Sequence, residues 1–339
     1  MAKEWTLQEI LALSGSYWQS FALQAGVDLG LFTEVDDMTG GGSEAVMPAL
    51  AAKLFCDERA LGILVTALAA LGFLERKGEG IVLPEHSRKY LSKKSGEYIG
   101  YIIQHHTHIS PAWTKLSTAV RRGSPTRVAP SDTDNAGERE SFLMGMYNIA
   151  MNQAEKVAAT FDLSGRKRLL DLGGGPGTYA VFFCLANPGL SATVFDRPTS
   201  EVFAGNVVKR FGLEGRVDFH GGDFLLDPLP GGYDVAWLSQ VLHGETPQNA
   251  ARLVDRAAKT VNPGGLVAVQ EFFLENDRSG PPQSALFGCN MLAVTQGGQV
   301  YTWDEISAML RDAGAVSVSR LDIALPQGCG ILVGQMPGG

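Results

Sequence analysis

The sequence predicts an α/β protein, with a mostly parallel sheet in its C-terminal half and a mainly helical segment before it. Three observations carry this expectation. After Ser164, short apolar runs alternate with helix-length stretches, the pattern of βα units with helices on both faces of a sheet. The first of those runs ends in a glycine-rich turn, Asp171-Leu172-Gly173-Gly174-Gly175-Pro176-Gly177. Before Ser164, apolar residues recur three and four apart, the period of a helix face.

Trp18, Phe21, Ala25, Leu29 and Phe32 lie at that spacing and predict one apolar stripe along a helix. Leu61, Leu64, Leu68 and Leu71 repeat it and end at Gly72, a C-terminal cap. The period then changes. Phe73-Leu74-Glu75 and Ile81-Val82-Leu83 flank Lys77-Gly78-Glu79-Gly80, which predicts a two-stranded hairpin after a helix pair, the winged-helix arrangement. Such a module can bind DNA, but Leu61 to Leu71 is nearly all apolar and has no basic side chains to meet phosphates. Burial or dimerisation suits that segment better.

Tyr98 to Phe161 reads as mainly helical, broken near Gly123-Ser124-Pro125 and through the turn-rich stretch Pro130 to Gly137, a candidate linker and substrate lid. Strands are expected near Arg168-Asp171, Ser191-Asp196, Arg216-His220, Asp234-Ser239, Leu266-Glu271, Ser317-Leu321 and Gly330-Gln335, with a helix from Trp303 to Ala313. Three regions result: 1–95, winged-helix-like; 96–163, a helical linker; and 164–339, the sheet domain. Low complexity is confined to Gly40-Gly41-Gly42 and Pro337-Gly338-Gly339.

Composition excludes several partners. With 28 basic and 36 acidic residues the formal charge is −8, and no lysine or arginine run offers a surface to nucleic acid or anionic membranes. No apolar stretch reaches the ~18 residues of a membrane span. Met1 to Ile10 carries charges rather than a signal-peptide core, so a cytoplasmic location is expected. Cys56, Cys184, Cys289 and Cys329 form no Cys-x-x-Cys pair, which argues for reduced thiols and against a zinc site. In Gln104-His105-His106-Thr107-His108, a helix puts His105 and His108 on one face and turns His106 away, so no metal ligand set converges and no metal is expected.

The glycine loop lies where ligands of open parallel sheets bind, beyond a strand's carboxyl end. Gly175-x-Gly177-x-x-Ala180 also satisfies a loose dinucleotide fingerprint. Asp171, two residues before the first glycine, suits the ammonium of an amino-acid-bearing cofactor better than a pyrophosphate. Asp196 closes the second strand about twenty residues on, where a carboxylate can take both ribose hydroxyls of either cofactor. Gly222-Asp223-Phe224 follows the third strand and offers an acceptor for an adenine amino group and a ring to pack on the base, although Asp223 could equally cap a turn. The combination favours S-adenosylmethionine.

These motifs resemble those of the two-domain small-molecule O-methyltransferases, the group of the caffeic acid and acetylserotonin enzymes and many bacterial natural-product enzymes. The resemblance runs through Ala22-Leu23-Gln24-Ala25-Gly26-Val27-Asp28-Leu29-Gly30-Leu31-Phe32, Leu169 to Gly177, Val194-Phe195-Asp196-Arg197-Pro198, Gly222-Asp223-Phe224 and Val241-Leu242-His243. It implies a class I Rossmann-like methyltransferase domain with an antiparallel end strand, and an N-terminal dimerisation domain that makes a homodimer. It implies cofactor contacts at Asp171, Gly173, Gly175, Asp196, Asp223, Phe224 and Ser239, a catalytic base at His243 and an orienting acid at Glu271.

Two departures stand out. His243-Gly244-Glu245 replaces the His-Asp-Trp of plant members, and Val300 replaces their second glutamate, which leaves both Glu245 and Glu271 as candidates to orient His243. The resemblance also places His106, Phe142, Met146 and Tyr147 along the cavity of a small aromatic or polycyclic acceptor, although core packing alone would produce the same apolar stripe. The expected function is methyl transfer from S-adenosylmethionine to a hydroxyl. Transfer to nitrogen or carbon, a non-methylating cofactor-binding member of the fold, and a winged-helix regulator that senses the cofactor are the alternatives.

Overall fold

A computed structural model describes residues 4–40, 44–129 and 133–339. Met1, Ala2 and Lys3, Gly41 and Gly42 of the glycine tract with Ser43, and Pro130, Ser131 and Asp132 of the candidate linker lie outside the described residues. The chain divides into two units, residues 1–108 with 140–148, and residues 109–139 with 149–339. The expected middle region, 96–163, contributes to both.

The first unit begins with α1 (Leu7–Ser14), whose Thr6 and Glu9 form a reciprocal capping box. Next come α2 (Tyr17–Asp28), α3 (Leu31–Met38), β1 (Ala45–Val46), α4 (Met47–Lys53) and α5 (Glu58–Ala70), then β2 (Glu75–Lys77), β3 (Gly80–Val82), α6 (Glu85–Leu91) and most of α7 (Gly100–Trp113). The expected single stripe from Trp18 to Phe32 is in fact split between two helices. Gly30, in the left-handed conformation at φ 71°, ends one and starts the next. Phe32 consequently turns into the core with Leu31, Val35, Leu61, Val65 and Leu68, whereas Trp18, Phe21 and Leu29 stay 69%, 42% and 40% exposed. The expected hairpin forms, β2 pairing antiparallel with β3. On its other edge β3 takes β1, a strand too short to show in the sequence pattern.

The second unit contains α8 (Leu116–Arg122), α10 (Ala154–Thr160) and the parts of α7 and α9 (Ala136–Met151) that the first unit leaves. Its sheet is built from β4 (Arg168–Leu172), β5 (Ser191–Asp196), β6 (Val217–Gly221), β7 (Tyr233–Ser239), β8 (Val261–Leu274), β9 (Tyr301–Thr302), β10 (Ser317–Arg320) and β11 (Cys329–Gln335). The intervening helices are α11 (Thr178–Ala186), α12 (Glu201–Arg210), α13 (Pro247–Ala258), α14 (Pro282–Val294) and α15 (Trp303–Asp312). The strand order is β10-β11-β8-β7-β4-β5-β6. Pairings from β6 to β8 are parallel, and β11 is antiparallel to both neighbours, in agreement with the expected antiparallel end.

β8 starts earlier than its expected Leu266, because Val261 pairs with Tyr233 and a register shift carries Pro263-Gly264-Gly265 within the strand. Chain order reverses about β4, with β5 and β6 on one side and β7 and β8 on the other, so a crevice opens at the carboxyl end of β4. Leu169, Leu170 and Leu172 are fully buried, as befits a strand covered on both faces. Asp171 is the polar exception. Among the described residues no helix is long and apolar enough to cross a membrane.

Candidate active site

Asp171 sits beneath the glycine loop at 1% exposure. Its Oδ2 accepts from the Ala180 N–H at 3.2 Å in the first turn of α11, while among the described residues its Oδ1 has no hydrogen-bond partner. Burial pushes its carboxyl up to about 7; the Ala180 N–H opposes the rise and the Asp196 charge adds to it. The loop leaves no room for side chains. A Cβ on Gly174 would lie 2.5 Å from the Asp171 Cγ, and one on Gly173, held at φ 73°, would lie 2.5 Å from Val241 Cγ2. Such close backbone approach, over a buried acid with an unused oxygen, fits a ligand that brings a cation and takes main-chain contacts.

Asp196, at the end of β5, ties the loop to the second strand. Its Oδ2 accepts from the Gly175 N–H at 2.8 Å, and its Oδ1 from the Arg197 N–H at 2.8 Å and the Ser200 hydroxyl at 2.7 Å. A carboxylate accepts about four hydrogen bonds, so one position remains for a ribose hydroxyl. Taking both hydroxyls requires one internal bond to give way. Asp223 does cap a turn, its Oδ1 accepting from Leu225 and Leu226 N–H groups at 2.8 and 3.2 Å. It also lines a cavity of about 490 Å³ with Arg197, Pro198, Gly222 and Arg139. The neighbouring Phe224 is partly buried against the sheet core.

His243 lies in the short turn Leu242–Gly244 that follows β7. Glu271, on the adjacent strand β8 and 1% exposed, grips it twice. Glu271 Oε2 lies 2.7 Å from His243 Nδ1, and its Oε1 accepts from the His243 backbone N–H at 3.2 Å. Glu245 is engaged elsewhere, accepting from Asn249 Nδ2 at 3.0 Å. The carboxylate on Nδ1 assigns the ring proton there and leaves Nε2 as the basic nitrogen. His243 does not cap α13; the Thr246 hydroxyl does.

Ser239 ends β7, partly buried, near the Tyr179 hydroxyl, which accepts from Gln270 Nε2 at 2.9 Å. Between Ser239 and His243, Gln240 holds φ 56°, rare for a residue with a side chain. Its N–H donates to the Gln270 carbonyl at 2.8 Å, which sustains the bend and aims Val241 at Gly173. Nothing in the sequence signals this position, since glycine or asparagine would be the usual choice.

His106, Phe142, Met146 and Tyr147 all belong to the first unit. There His105 is buried with its ring centroid 5.4 Å from that of Phe142, and His108 Nδ1 lies 2.8 Å from the Ser141 hydroxyl. His106 is exposed; Phe142 and Met146 are half-buried and Tyr147 is buried. Among the described residues no three His, Cys, Asp or Glu side chains form a metal site.

A family model described as an O-methyltransferase domain matches residues 113–315. The chain belongs to the O-methyltransferase family. It is 33% identical to the 3-hydroxy-5-methyl-1-naphthoate 3-O-methyltransferase of Streptomyces sahachiroi over 327 residues, 95% of this chain and 93% of that protein. Among solved structures it resembles PigF with SAH (S-adenosylhomocysteine) at a TM-score of 0.88 and 27% identity, covering 98% of this chain and 100% of that one. Human N-acetylserotonin methyltransferase in complex with SAM (S-adenosylmethionine) matches at 0.86 and 26%, covering 99% and 100%. The methyltransferase uses S-adenosylmethionine and acts on a small-molecule acceptor, and its second unit carries the class I fold.

Proposed function

We propose that the methyltransferase alkylates a ring hydroxyl of a small aromatic or polycyclic acceptor, with His243 as general base and Glu271 as the residue that holds it. The observation that carries this reading is the 2.7 Å contact between Glu271 Oε2 and His243 Nδ1. The naphthoate named for the S. sahachiroi relative supports the acceptor class.

When bound, S-adenosylmethionine supplies a methyl group already activated by its sulfonium, and Asp171, Gly173, Gly175, Asp196, Asp223, Phe224 and Ser239 are the residues that would hold it. The chain must then orient the acceptor and take its proton. A phenol of pKa near ~10 is about 5 kcal/mol uphill from a histidine of ~6.5 at 1.36 kcal/mol per unit. A buried carboxylate on Nδ1 holds the ring in one orientation and faces the positive charge that forms as Nε2 accepts the proton. An acceptor screen with methyl-labelled donor, beginning with 3-hydroxy-5-methyl-1-naphthoate, tests the reading. Ring methyl ethers are expected, and N- or C-methylated products alone would overturn it.

The same assignment gives cofactor binding a pH dependence. Below about 7 the buried Asp171 holds a proton in the free protein, so pairing with an ammonium there must first expel it. Affinity for S-adenosylhomocysteine is expected to rise about tenfold per pH unit up to about 7 and then level off. Calorimetry from pH 5.5 to 8 reads the slope, and Asp171→Asn should flatten it; an unchanged slope in that variant would refute the pairing.

For the first unit, the exposed ring face of Trp18 and Phe21 with Leu29 supports a homodimer in which a second copy covers it. Light scattering is expected to report twice the 36.2 kDa chain mass. A monomer at micromolar concentration would sink the dimer.

A further inference from the structure

Besides Glu271, the His243 ring meets aromatic side chains. The Phe287 ring, on α14, lies 4.7 Å from the imidazole, centroid to centroid, at 87°. Phe287 is itself backed by Phe272, which follows Glu271 on β8, at 4.3 Å and 39°. Phe272, Leu274 and Val300 are buried in one cluster, with Phe287 and Cys329 packed against it. One helical turn beyond Phe287, Asn290 Oδ1 accepts from the Trp113 indole N–H at 2.8 Å, which pins α14 against sliding or turning. The imidazole is therefore held by two contacts of different kinds. A carboxylate fixes its hydrogen-bonding edge, and a rigidly backed ring limits its rotation about the side-chain bonds.

We propose that Phe287 is a positioning residue for the base, an aromatic stop that, with Glu271, confines the His243 ring to one orientation. The proposal rests on the reading of His243 as base. A carboxylate on one nitrogen leaves the imidazole free to swing about that contact. A base must stand within hydrogen-bond reach of the acceptor hydroxyl, where a misplacement of about 1 Å can cost on the order of a hundredfold. Val300, where a second acid would stand in plant members, supplies methyl groups to the Phe287 cluster instead. Confinement by packing thus takes up a task that a further hydrogen bond would otherwise perform.

The test is a double-mutant cycle on the full-length enzyme with a ring-hydroxyl acceptor such as 3-hydroxy-5-methyl-1-naphthoate, joined to a spectroscopic readout that needs no acceptor. Phe287→Ala is expected to lower kcat about tenfold or more, with acceptor KM changing less, and to leave S-adenosylhomocysteine affinity unchanged. In a His243→Ala background the same change should cost nothing further, because the ring it positions has gone. Phe287→Tyr, which keeps the ring, should restore kcat to within about twofold. With nitrogen-15-labelled histidine, the chain's six imidazoles allow His243 to be assigned by its absence in His243→Ala. Phe287→Ala should turn its single Nδ1–H form into an averaged signal. Equal losses in both backgrounds, or an unchanged His243 signal, would overturn the proposal. Full activity in His243→Ala would instead overturn the base itself.

Discussion

His243→Ala is expected to lower kcat for a phenolic acceptor by about three orders of magnitude, within the 10²–10⁴ span of general-base catalysis. The expectation follows from the geometry around the imidazole. Glu271 holds both the ring Nδ1 and the backbone N–H of the same residue, so removing the ring deletes the proton acceptor while the turn keeps its backbone anchor. Cofactor binding should survive, since the glycine loop is built by Asp171, Asp196 and Val241 rather than by His243. Glu271→Ala is expected to cost less in rate than loss of the base itself but more in stability, because His243 loses the carboxylate on its ring and the turn loses an anchor. Steady-state rates with S-adenosylhomocysteine calorimetry on each variant separate the two effects. Retention of full activity by His243→Ala would remove the base and favour transfer to nitrogen or carbon.

Gly173→Ala is expected to weaken S-adenosylhomocysteine binding by about a hundredfold or more and to slow turnover as well. The alanine must hold φ 73° and place its Cβ 2.5 Å from Val241 Cγ2. The backbone conformation costs on the order of 1 kcal/mol for a residue with a side chain. The clash forces either the loop or Val241 to move, and Val241 belongs to the strained bend that leads into His243. One methyl group would therefore disturb the glycine loop and the proposed base together. Gly165→Ala provides the control, with φ 78° and nothing within 4 Å of the added Cβ. It should show the backbone cost alone, a fall in unfolding stability with affinity unchanged. Comparable losses of affinity in both variants would show that strain, not the contact with Val241, is responsible.

Much of the second unit is legible in the amino-acid sequence. Strands of four to seven residues separated by turns are local objects, and β5 coincides with the run Ser191 to Asp196 that apolar patterning marks. Patterning starts β8 only at Leu266, after Pro263-Gly264-Gly265; only pairing of Val261 with Tyr233 across the sheet makes that segment part of a strand. The first unit is less legible. Helical spacing continues numerically through Leu29 to Phe32, but a glycine in the left-handed conformation redirects the chain there, and periodicity is blind to that redirection.

The glycine loop and His243 are visible for different reasons. Closely spaced glycines after a strand state a local steric requirement, and an acid within an otherwise apolar buried strand is conspicuous in the sequence itself. His243 stands out only through the motif it shares with related methyltransferases. Which acid serves it is not visible in the sequence. Glu245 is nearby in the chain and Glu271 distant, yet β7 and β8 are hydrogen-bonded neighbours and the helix that starts at Pro247 draws Glu245 toward Asn249.

By itself, then, the sequence determined what local sterics and periodicity encode: a parallel α/β unit, a glycine loop over Asp171, carboxylates closing successive strands and a histidine after β7. Tertiary structure alone decided the partners of those groups, because hydrogen bonds and ring contacts depend on distances between elements far apart in the chain. It set Glu271 on His243, spent most of the Asp196 acceptor capacity inside the fold, bent the chain at Gln240, and brought Phe287 from a distant helix against the imidazole.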